Sequence, residues 1–218
     1  MSKLNGVYDL RGKIATENFV RGQKVYNEEL VSFNGKQLRT WNPFRSKLGA
    51  AIMSGLRTFP FQMGSKVLYL GAASGTTASH VSDIVGETGL VYCVEFSPVV
   101  ALSLVSLCEK RKNMFPIIDD ARSPENYASF VEPVDVVYED VADKEQARIL
   151  IENSRIFLKP KGIAMIAIKA RCIDSAIPPE QVYAVVLKEL ESEFEILEKI
   201  NIEPFETDHL FVVCRKRN

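Results

Sequence analysis

Three charged side chains in this sequence could act together on one hydroxyl group. Asp140 ends the apolar run VDVVYED, Lys169 follows the run GIAMIAI, and Lys47 opens a segment of helical periodicity. A carboxylate beside a hydroxyl can orient it and take its proton, while two amines supply positive charge. The alternative for each lysine is a solvated side chain that only flanks a strand or a helix. The set is therefore a candidate site for displacement chemistry at an acceptor oxygen.

The segments that must position these residues alternate in type from residue 66 onward. Helical segments follow the apolar runs KVLYL, LVYCVEF, VDVVYED and GIAMIAIKA, whereas the run FPII leads into a loop at residues 119–121. The runs FEILEKINI and HLFVVCRK close the chain. Apolar runs without alternation are typical of strands that are covered on both faces. The pattern predicts an α/β fold with a doubly wound, mostly parallel sheet. Because no helix separates the last two runs, we expect that pair to be antiparallel.

The first 45 residues carry short candidate strands instead, namely VYDL, KIATEN, QKVYNEELVSF and KQLRTW. Between the last two, Asn34-Gly35 is a strong signal for a two-residue hairpin. The pattern predicts a small antiparallel β domain over residues 1–45, followed by the main domain over residues 46–218.

One helix is predicted between these two regions. Leu48, Ile52 and Leu56 recur four residues apart, which indicates an amphipathic helix that starts near Ser46 and ends by Pro60.

The composition is that of an ordinary globular protein, with 46% hydrophobic and 25% charged residues. No apolar run approaches the ~20 residues of a membrane span, and the N-terminal segment lacks the apolar stretch of a secretory signal. The four cysteines are widely spaced and have no histidine partners, so we expect neither a metal site nor a disulfide framework. A reducing compartment fits this pattern best.

Charge is unevenly distributed along the chain. The net charge of −1 argues against a stand-alone nucleic-acid binder, yet residues 1–66 hold 11 Lys and Arg against 4 Asp and Glu. Two explanations stay open: chance with solvated faces, or an anionic partner near the N-terminal third.

The loop GAASGTT follows the first strand of the predicted main sheet. Gly71 and Gly75 permit a sharp turn, and Ala72 and Ala73 keep the floor of the loop low. A dinucleotide fingerprint would read GxGxxG and hold a pyrophosphate at the helix N-terminus. The middle glycine is missing here and the loop is shorter, which favours an adenosine cofactor without a pyrophosphate over NAD.

Carboxylates follow at the ends of the next strands. Glu95, 24 residues after Gly71, could accept hydrogen bonds from both ribose hydroxyls of an adenosine. The acids of segment 119–121 could receive the adenine amine, and those of 139–140 end the fourth strand. Each acid alone could be merely solvated. Their order and spacing are typical of Rossmann-like class I S-adenosylmethionine-dependent methyltransferases.

Two histidines complete the candidates. His80 lies within a predicted helix, and a structural role is its simplest interpretation. His209 directly precedes the last strand, where it is either structural or at the edge of the site.

Long contiguous stretches then match a known family: WNPFRSKLGAAI, VLYLGAASGTTASHVSDIVG, VEFSP, DDAR, EDVA, KARCIDS and EPFETDHLFVV. From about Gly6 to Arg217 the chain resembles fibrillarin, particularly the archaeal type. It has no glycine- and arginine-rich N-terminal tail like that of eukaryotic members. The resemblance thus implies a cytoplasmic location in an archaeon, or a nucleolar one if the source is eukaryotic.

The resemblance implies a guide-RNA-directed ribose 2′-O-methyltransferase that uses S-adenosylmethionine and acts on ribosomal RNA and, in archaea, on some tRNA. It also implies a box C/D ribonucleoprotein in which a Nop-domain scaffold protein binds the enzyme and a kink-turn-binding protein anchors the guide RNA. Such partners would supply most of the phosphate affinity, in keeping with a pI near 6.2. The basic N-terminal third and the helix of residues 46–57 would border the substrate strand. The alternatives are a protein glutamine methyltransferase and a non-catalytic assembly subunit.

The same resemblance assigns the catalytic set to Lys47, Asp140 and Lys169. Together with the loop residues, the candidate cofactor contacts are Gly71, Ala73, Thr76, Thr77, Glu95, Phe96, Asp120, Ala121, Asp140, Val141, Ala142 and Asp143. Asp143 departs from the family, which usually has glutamine in the motif DVAQ. A carboxylate there could favour a sulfonium cation or disturb a side-chain hydrogen bond.

Overall fold

The computed structural model describes residues 4–217 and contains two sheets. The N-terminal sheet has four antiparallel strands in the order β1-β2-β4-β3. Its strands are β1 Val7–Leu10, β2 Lys13–Glu17, β3 Leu30–Phe33 and β4 Lys36–Trp41. Asn34 and Gly35 join β3 to β4 with φ of 48° and 78°. Both values are positive, as a type I′ turn requires, so the predicted hairpin is confirmed.

One of the predicted N-terminal strands is wrong over its first half. Residues 23–29 form no strand but bend at residues 25–27, and only Leu30–Phe33 of that segment is a strand. The carboxylate of Glu28 accepts hydrogen bonds from the main-chain N–H groups of Val25 and Tyr26, at 2.8 and 2.7 Å. This local capping holds the backbone in a turn and competes with strand pairing.

The larger sheet has seven strands in the order β10-β11-β9-β8-β5-β6-β7. They are β5 Lys66–Leu70, β6 Leu90–Glu95, β7 Met114–Ile118, β8 Val134–Glu139, β9 Leu158–Lys169, β10 Phe194–Asn201 and β11 His209–Lys216. The five strands β5 to β9 are parallel, whereas β11 runs antiparallel to both β9 and β10. The predicted mixed α/β sheet and its antiparallel final pair are therefore confirmed.

Helices cover both faces of this sheet. They are α1 Lys47–Met53, α2 Thr76–Val85, α3 Pro98–Lys110, α4 Gln146–Phe157, α5 Ala170–Ile173 and α6 Pro179–Leu190. Helices α1 to α3 contribute to the core on one face, and α4 to α6 to the core on the other. No helix within residues 4–217 has the length and apolar character to cross a membrane.

Helix α1 differs from its prediction in length and in burial. It stops at Met53 because Gly55 adopts a left-handed φ of 96°, and Leu56 donates its main-chain N–H to Ala51 at 2.9 Å. This is the Schellman arrangement that ends many helices. Residues 48–52 are all buried, so the helix is not amphipathic as predicted, and its first residue, Lys47, remains partly exposed. That the helix borders a substrate strand stays a prediction. Residues 48–52 are all small or apolar, and such residues occur in fully buried helices and in amphipathic ones alike, so the sequence did not predict this burial.

A buried polar network joins the two sheets. Asp83 of α2 accepts hydrogen bonds from Arg39 at 2.9 Å, Arg111 at 2.7 Å and Thr16 at 2.6 Å. Arg39 also donates to Glu28 at 2.9 Å. Because these charges are buried, removing one partner would leave another uncompensated. The domain boundary expected between residues 45 and 46 stays a prediction.

His80 belongs to this network and has the structural role expected of it. Its ring stacks on Trp41 at a centroid distance of 4.6 Å. Thr16 donates its only hydroxyl proton to Asp83, so His80 Nδ1 donates to Thr16 and Nε2 accepts from Tyr26, at 2.7 and 2.6 Å. Burial, and then two nearby guanidinium groups, hold the pKa of His80 well below its ordinary value.

This neutral histidine should make stability depend on pH. Below about pH 6.5 the unfolded chain binds a proton that folded His80 does not, so the free energy of unfolding should fall by up to about 1.4 kcal/mol per pH unit. We expect His80→Gln to remove this contribution, measured by urea unfolding between about pH 6.5 and pH 5. Equal slopes for wild type and His80→Gln would contradict this assignment.

Candidate active site

A single carboxylate lies between two lysine amines at the carboxyl end of the parallel strands. Lys169 Nζ is 2.8 Å from Asp140 Oδ1 and donates a hydrogen bond to the main-chain oxygen of Asp140 at 2.7 Å. Lys47 Nζ lies 3.5 Å from the same Oδ1. Asp140 follows β8, Lys169 ends the neighbouring β9, and Lys47 begins α1. The structure thus brings together the three residues proposed from the sequence.

A second carboxylate, that of Glu206, also belongs to the cluster and was not predicted from the sequence. Glu206 Oε1 lies 3.4 Å from Lys47 Nζ. Burial lowers the pKa of Lys47, but Asp140 and Glu206 outweigh that effect and raise the pKa above its ordinary value. Lys47 is therefore a cation at neutral pH and cannot act as a base.

The signal for Glu206 was its place in the chain. Strand β11 is antiparallel, so the segment before it returns to the edge where the parallel strands end. His209 also lies at this edge, paired in register with Lys169, and its Nδ1 is 2.7 Å from the main-chain oxygen of Thr207.

The motif WNPFRSK fixes the backbone of Lys47 from both sides. The side chain of Asn42 accepts a hydrogen bond from the main-chain N–H of Phe44, at 2.9 Å, and caps a 3-10 turn. Ser46 then caps α1 by accepting the N–H of Gly49 at 3.1 Å, and it also accepts the hydroxyl of Thr77 at 2.9 Å. Thr77 therefore links α1 to α2, a role that the sequence did not reveal.

Three buried residues lie on the strands that lead to the cluster. Tyr69 and Tyr138 lie side by side on β5 and β8 with ring centroids 4.5 Å apart. Burial, followed by the charge of Asp140, raises the pKa of Tyr69 well above its ordinary value. Glu139 is also buried, and burial raises its pKa well above the usual range. Of these two neighbouring acids, only Asp140 forms ion pairs with the lysines.

A cavity of about 440 Å³ adjoins the cluster at the same edge of the sheet. Its lining residues are Gly71, Ala73, Val94, Glu95, Phe96, Asp119, Asp120, Ala121, Arg122, Asp140, Val141, Ala142, Asp143, Ile149 and Lys169. This set includes every candidate cofactor contact except Thr76 and Thr77, which lie at the start of α2.

The floor of the cavity depends on a close approach of two loops. Gly71 has a φ of 77°, and a Cβ added to it would lie 2.9 Å from the main-chain oxygen of Asp140. Next to it, Glu95 accepts main-chain N–H groups from Ala73 at 2.9 Å and from Ser97 at 2.8 Å, one on each carboxylate oxygen. The carboxylate is held in place, and each oxygen keeps acceptor capacity for a ligand hydroxyl.

The third acidic position differs from the sequence-based picture. Arg122 donates to both oxygens of Asp120, at distances of 2.6 to 3.0 Å, and holds the pKa of Asp120 below its usual range. The same guanidinium lies 3.8 Å from Asp143, whose carboxylate also accepts the N–H of Glu145 at 2.8 Å. Asp120 is therefore already paired. Asp119, the other acid of segment 119–121 proposed to receive the adenine amine, also lines the cavity.

The cavity fits a cationic adenosine cofactor better than a dinucleotide. Five carboxylates line it against two cationic side chains, Arg122 and Lys169. That balance would repel a pyrophosphate and attract a sulfonium. An antiparallel strand inserted at one end of a parallel sheet, together with acids at three strand ends, defines a Rossmann-like class I methyltransferase domain.

Comparison with known proteins identifies the family. Residues 1–218 match the family model described as Fibrillarin. The chain is 55% identical over 219 residues to the "Fibrillarin-like rRNA/tRNA 2′-O-methyltransferase" of Thermococcus onnurineus (strain NA1), with 98% of this chain and 97% of that protein covered. This protein belongs to the fibrillarin family.

Two solved structures are similar over nearly the whole chain. Aeropyrum pernix fibrillarin with natively bound S-adenosyl-L-methionine has 45% identity and a TM-score of 0.91, covering 98% of this chain and 96% of that one. The fibrillarin of a fibrillarin/Nop5p complex has 40% identity and a TM-score of 0.91, covering 99% and 100%.

The close approach at Gly71 can be tested with a matched glycine. Gly12 has a similar φ of 90°, but a Cβ there would meet no atom within 4 Å. We expect Gly12→Ala to cost about 1–2 kcal/mol of unfolding free energy through backbone strain alone. Gly71→Ala should cost about 1–3 kcal/mol more, because its Cβ also collides with the Asp140 loop. If urea unfolding gave the same loss of unfolding free energy for Gly12→Ala and Gly71→Ala, the Gly71 loop would be able to move away from the Asp140 loop at no cost.

Proposed function

We propose that this protein transfers a methyl group from S-adenosylmethionine to a ribose 2′-hydroxyl of ribosomal RNA, and of tRNA in some cases. The observation that carries the proposal is the Asp140 carboxylate between the amines of Lys47 and Lys169, next to an acidic cavity. The name of the Thermococcus relative and the cofactor bound to the Aeropyrum fibrillarin support the same chemistry.

The chain offers a distinct group for each part of the cofactor. Glu95 would bind the ribose hydroxyls, Asp120 and Ala121 would border the base, and residues 140–143 would face the sulfonium. When bound, S-adenosylmethionine supplies an electrophilic methyl group at this edge of the sheet. Thr76, Thr77 and Phe96 stay proposed contacts. Asp143, in place of the family's glutamine, adds negative charge close to the cation.

The charged cluster acts on the acceptor. Asp140 Oδ1 faces both amines, which leaves the other carboxylate oxygen to accept a hydrogen bond from the 2′-hydroxyl. That bond orients the hydroxyl oxygen for in-line attack, and the proton passes to Asp140. Lys47 and Lys169 act through Asp140: both amines contact Oδ1 and so hold the carboxylate with its other oxygen towards the hydroxyl. A subunit without catalytic function would have no need for this arrangement.

We also propose that the protein works within a box C/D ribonucleoprotein. The structure of the related fibrillarin/Nop5p complex supports a Nop-domain scaffold as its partner. A kink-turn-binding protein and a box C/D guide RNA would complete the particle and supply most of the phosphate affinity that a chain of net charge −1 lacks. A cytoplasmic location in an archaeon stays part of this proposal.

Reconstitution tests the function directly. We expect the protein, the scaffold, the kink-turn protein and a guide RNA together to methylate one chosen ribose, scored by mass spectrometry of the RNA. Leaving out the guide should abolish that product. Site-specific methylation by the isolated chain would contradict the proposal, and methylation of a protein glutamine in place of RNA would favour the alternative acceptor.

Two variants should separate acceptor chemistry from cofactor binding. Asp140→Asn keeps the shape but removes the proton acceptor, so we expect kcat in the complex to fall about 100- to 10,000-fold. Glu95→Gln should instead raise the KM for S-adenosylmethionine about 10- to 100-fold through a lost charge-assisted hydrogen bond. Its kcat at saturating cofactor should change little. Wild-type kcat for Asp140→Asn would remove Asp140 from the mechanism.

A further inference from the structure

Arg45 is an exposed cation that remains unpaired near the acceptor side of the site. Within residues 4–217 its guanidinium forms no ion pair and donates no hydrogen bond. Three other exposed arginines are paired: Arg57 with Glu198, Arg122 with Asp120, and Arg171 with Asp208. All five N–H donors of Arg45 are thus free for a ligand.

The guanidinium is nevertheless held in place. Its carbon lies 5.2 Å from the ring centroid of Tyr26. The hydroxyl of Tyr26 is 2.6 Å from Nε2 of the buried His80, so the buried network fixes the ring below the cation. A cation–π contact uses the face of the guanidinium and leaves its edge free. Less side-chain entropy is therefore lost when Arg45 binds an anion.

An aromatic groove places Arg45 beside the catalytic cluster. The groove has a volume of about 630 Å³, and the rings of Phe44 and Phe205 at its border are 5.1 Å apart. Arg45 precedes Lys47 by two residues, a backbone span of at most about 7 Å. Phe205 directly precedes Glu206, which pairs with Lys47. The groove is therefore lined by residues that lie within two positions, along the chain, of the paired Lys47 and Glu206.

We propose that Arg45 binds a phosphate of the RNA strand that carries the acceptor ribose, with a neighbouring sugar against the exposed ring of Phe44. An arginine edge matches phosphate oxygens in a bidentate manner, and the excess of Lys and Arg in residues 1–66 suits an anionic strand. This contact would set the strand's position relative to Asp140. The proposal rests on the proposed function, since it presumes an RNA acceptor.

The salt dependence of RNA affinity tests the proposal in the reconstituted complex. We expect Arg45→Gln to raise the KM for substrate RNA several-fold and to reduce the slope of log affinity against log salt by about 0.7–0.9, the value for one phosphate. Its kcat at saturating RNA and its S-adenosylmethionine affinity should stay at wild-type values. Arg45→Lys should restore the slope, because it keeps the charge.

Arg215→Gln is the matched control. Arg215 is an exposed arginine in β11 that pairs in register with Ile163, at the opposite edge of the sheet from Lys169. The Arg215→Gln variant should keep the wild-type slope of log RNA affinity against log salt and the wild-type KM for substrate RNA.

Three results would overturn the proposal. An unchanged slope and KM for Arg45→Gln would show that no phosphate binds there. Weaker binding of the Nop-domain scaffold by this variant, with the RNA slope unchanged, would assign the groove to that partner. A wild-type complex that methylates no RNA would refute the proposed function itself, and the phosphate contact with it.

Discussion

Asp140 shares one carboxylate oxygen with two lysine amines, and the fold around it holds these three groups together. They come from β8, β9 and the start of α1, and their side chains are only 13–19% exposed. Charges with so little solvent are stable only together, because each would otherwise lack compensation for lost hydration. The close approach at Gly71 and the Ser46 cap of α1 both serve this arrangement.

The N-terminal sheet contributes to the site through a buried network. The ion pair between Arg39 and Asp83 connects the small sheet to α2. The hydrogen bond between His80 and Tyr26 extends this network to the ring on which Arg45 lies. The cofactor side depends on the large sheet alone, through the loops after β5 to β8. The acceptor side also includes Lys47, which follows the small sheet in the chain and lies 3.5 Å from Asp140 Oδ1.

The sequence predicted most of the large sheet because apolar runs and helical segments alternate clearly there. It also predicted that Asp140 and Lys169 lie together, since adjacent parallel strands end at one edge. The antiparallel final pair placed the segment of Glu206 at the same edge, but the contacts of Glu206 and Arg122 depend on side-chain conformation, which the sequence does not specify. The full burial of α1 was not predicted because glycine and alanine, as at Gly49, Ala50 and Ala51, occur on both buried and solvent-exposed faces of helices.

A double-mutant cycle between Asp140 and Lys169 tests the central claim most directly. Asp140→Asn, Lys169→Met and the double variant would be compared by the rate of methyl transfer in the reconstituted complex, at saturating RNA and cofactor. If the lysine acts through the carboxylate it faces, the double variant is no slower than Asp140→Asn alone. A double variant whose loss equals the product of the two single losses would show independent action and contradict the account.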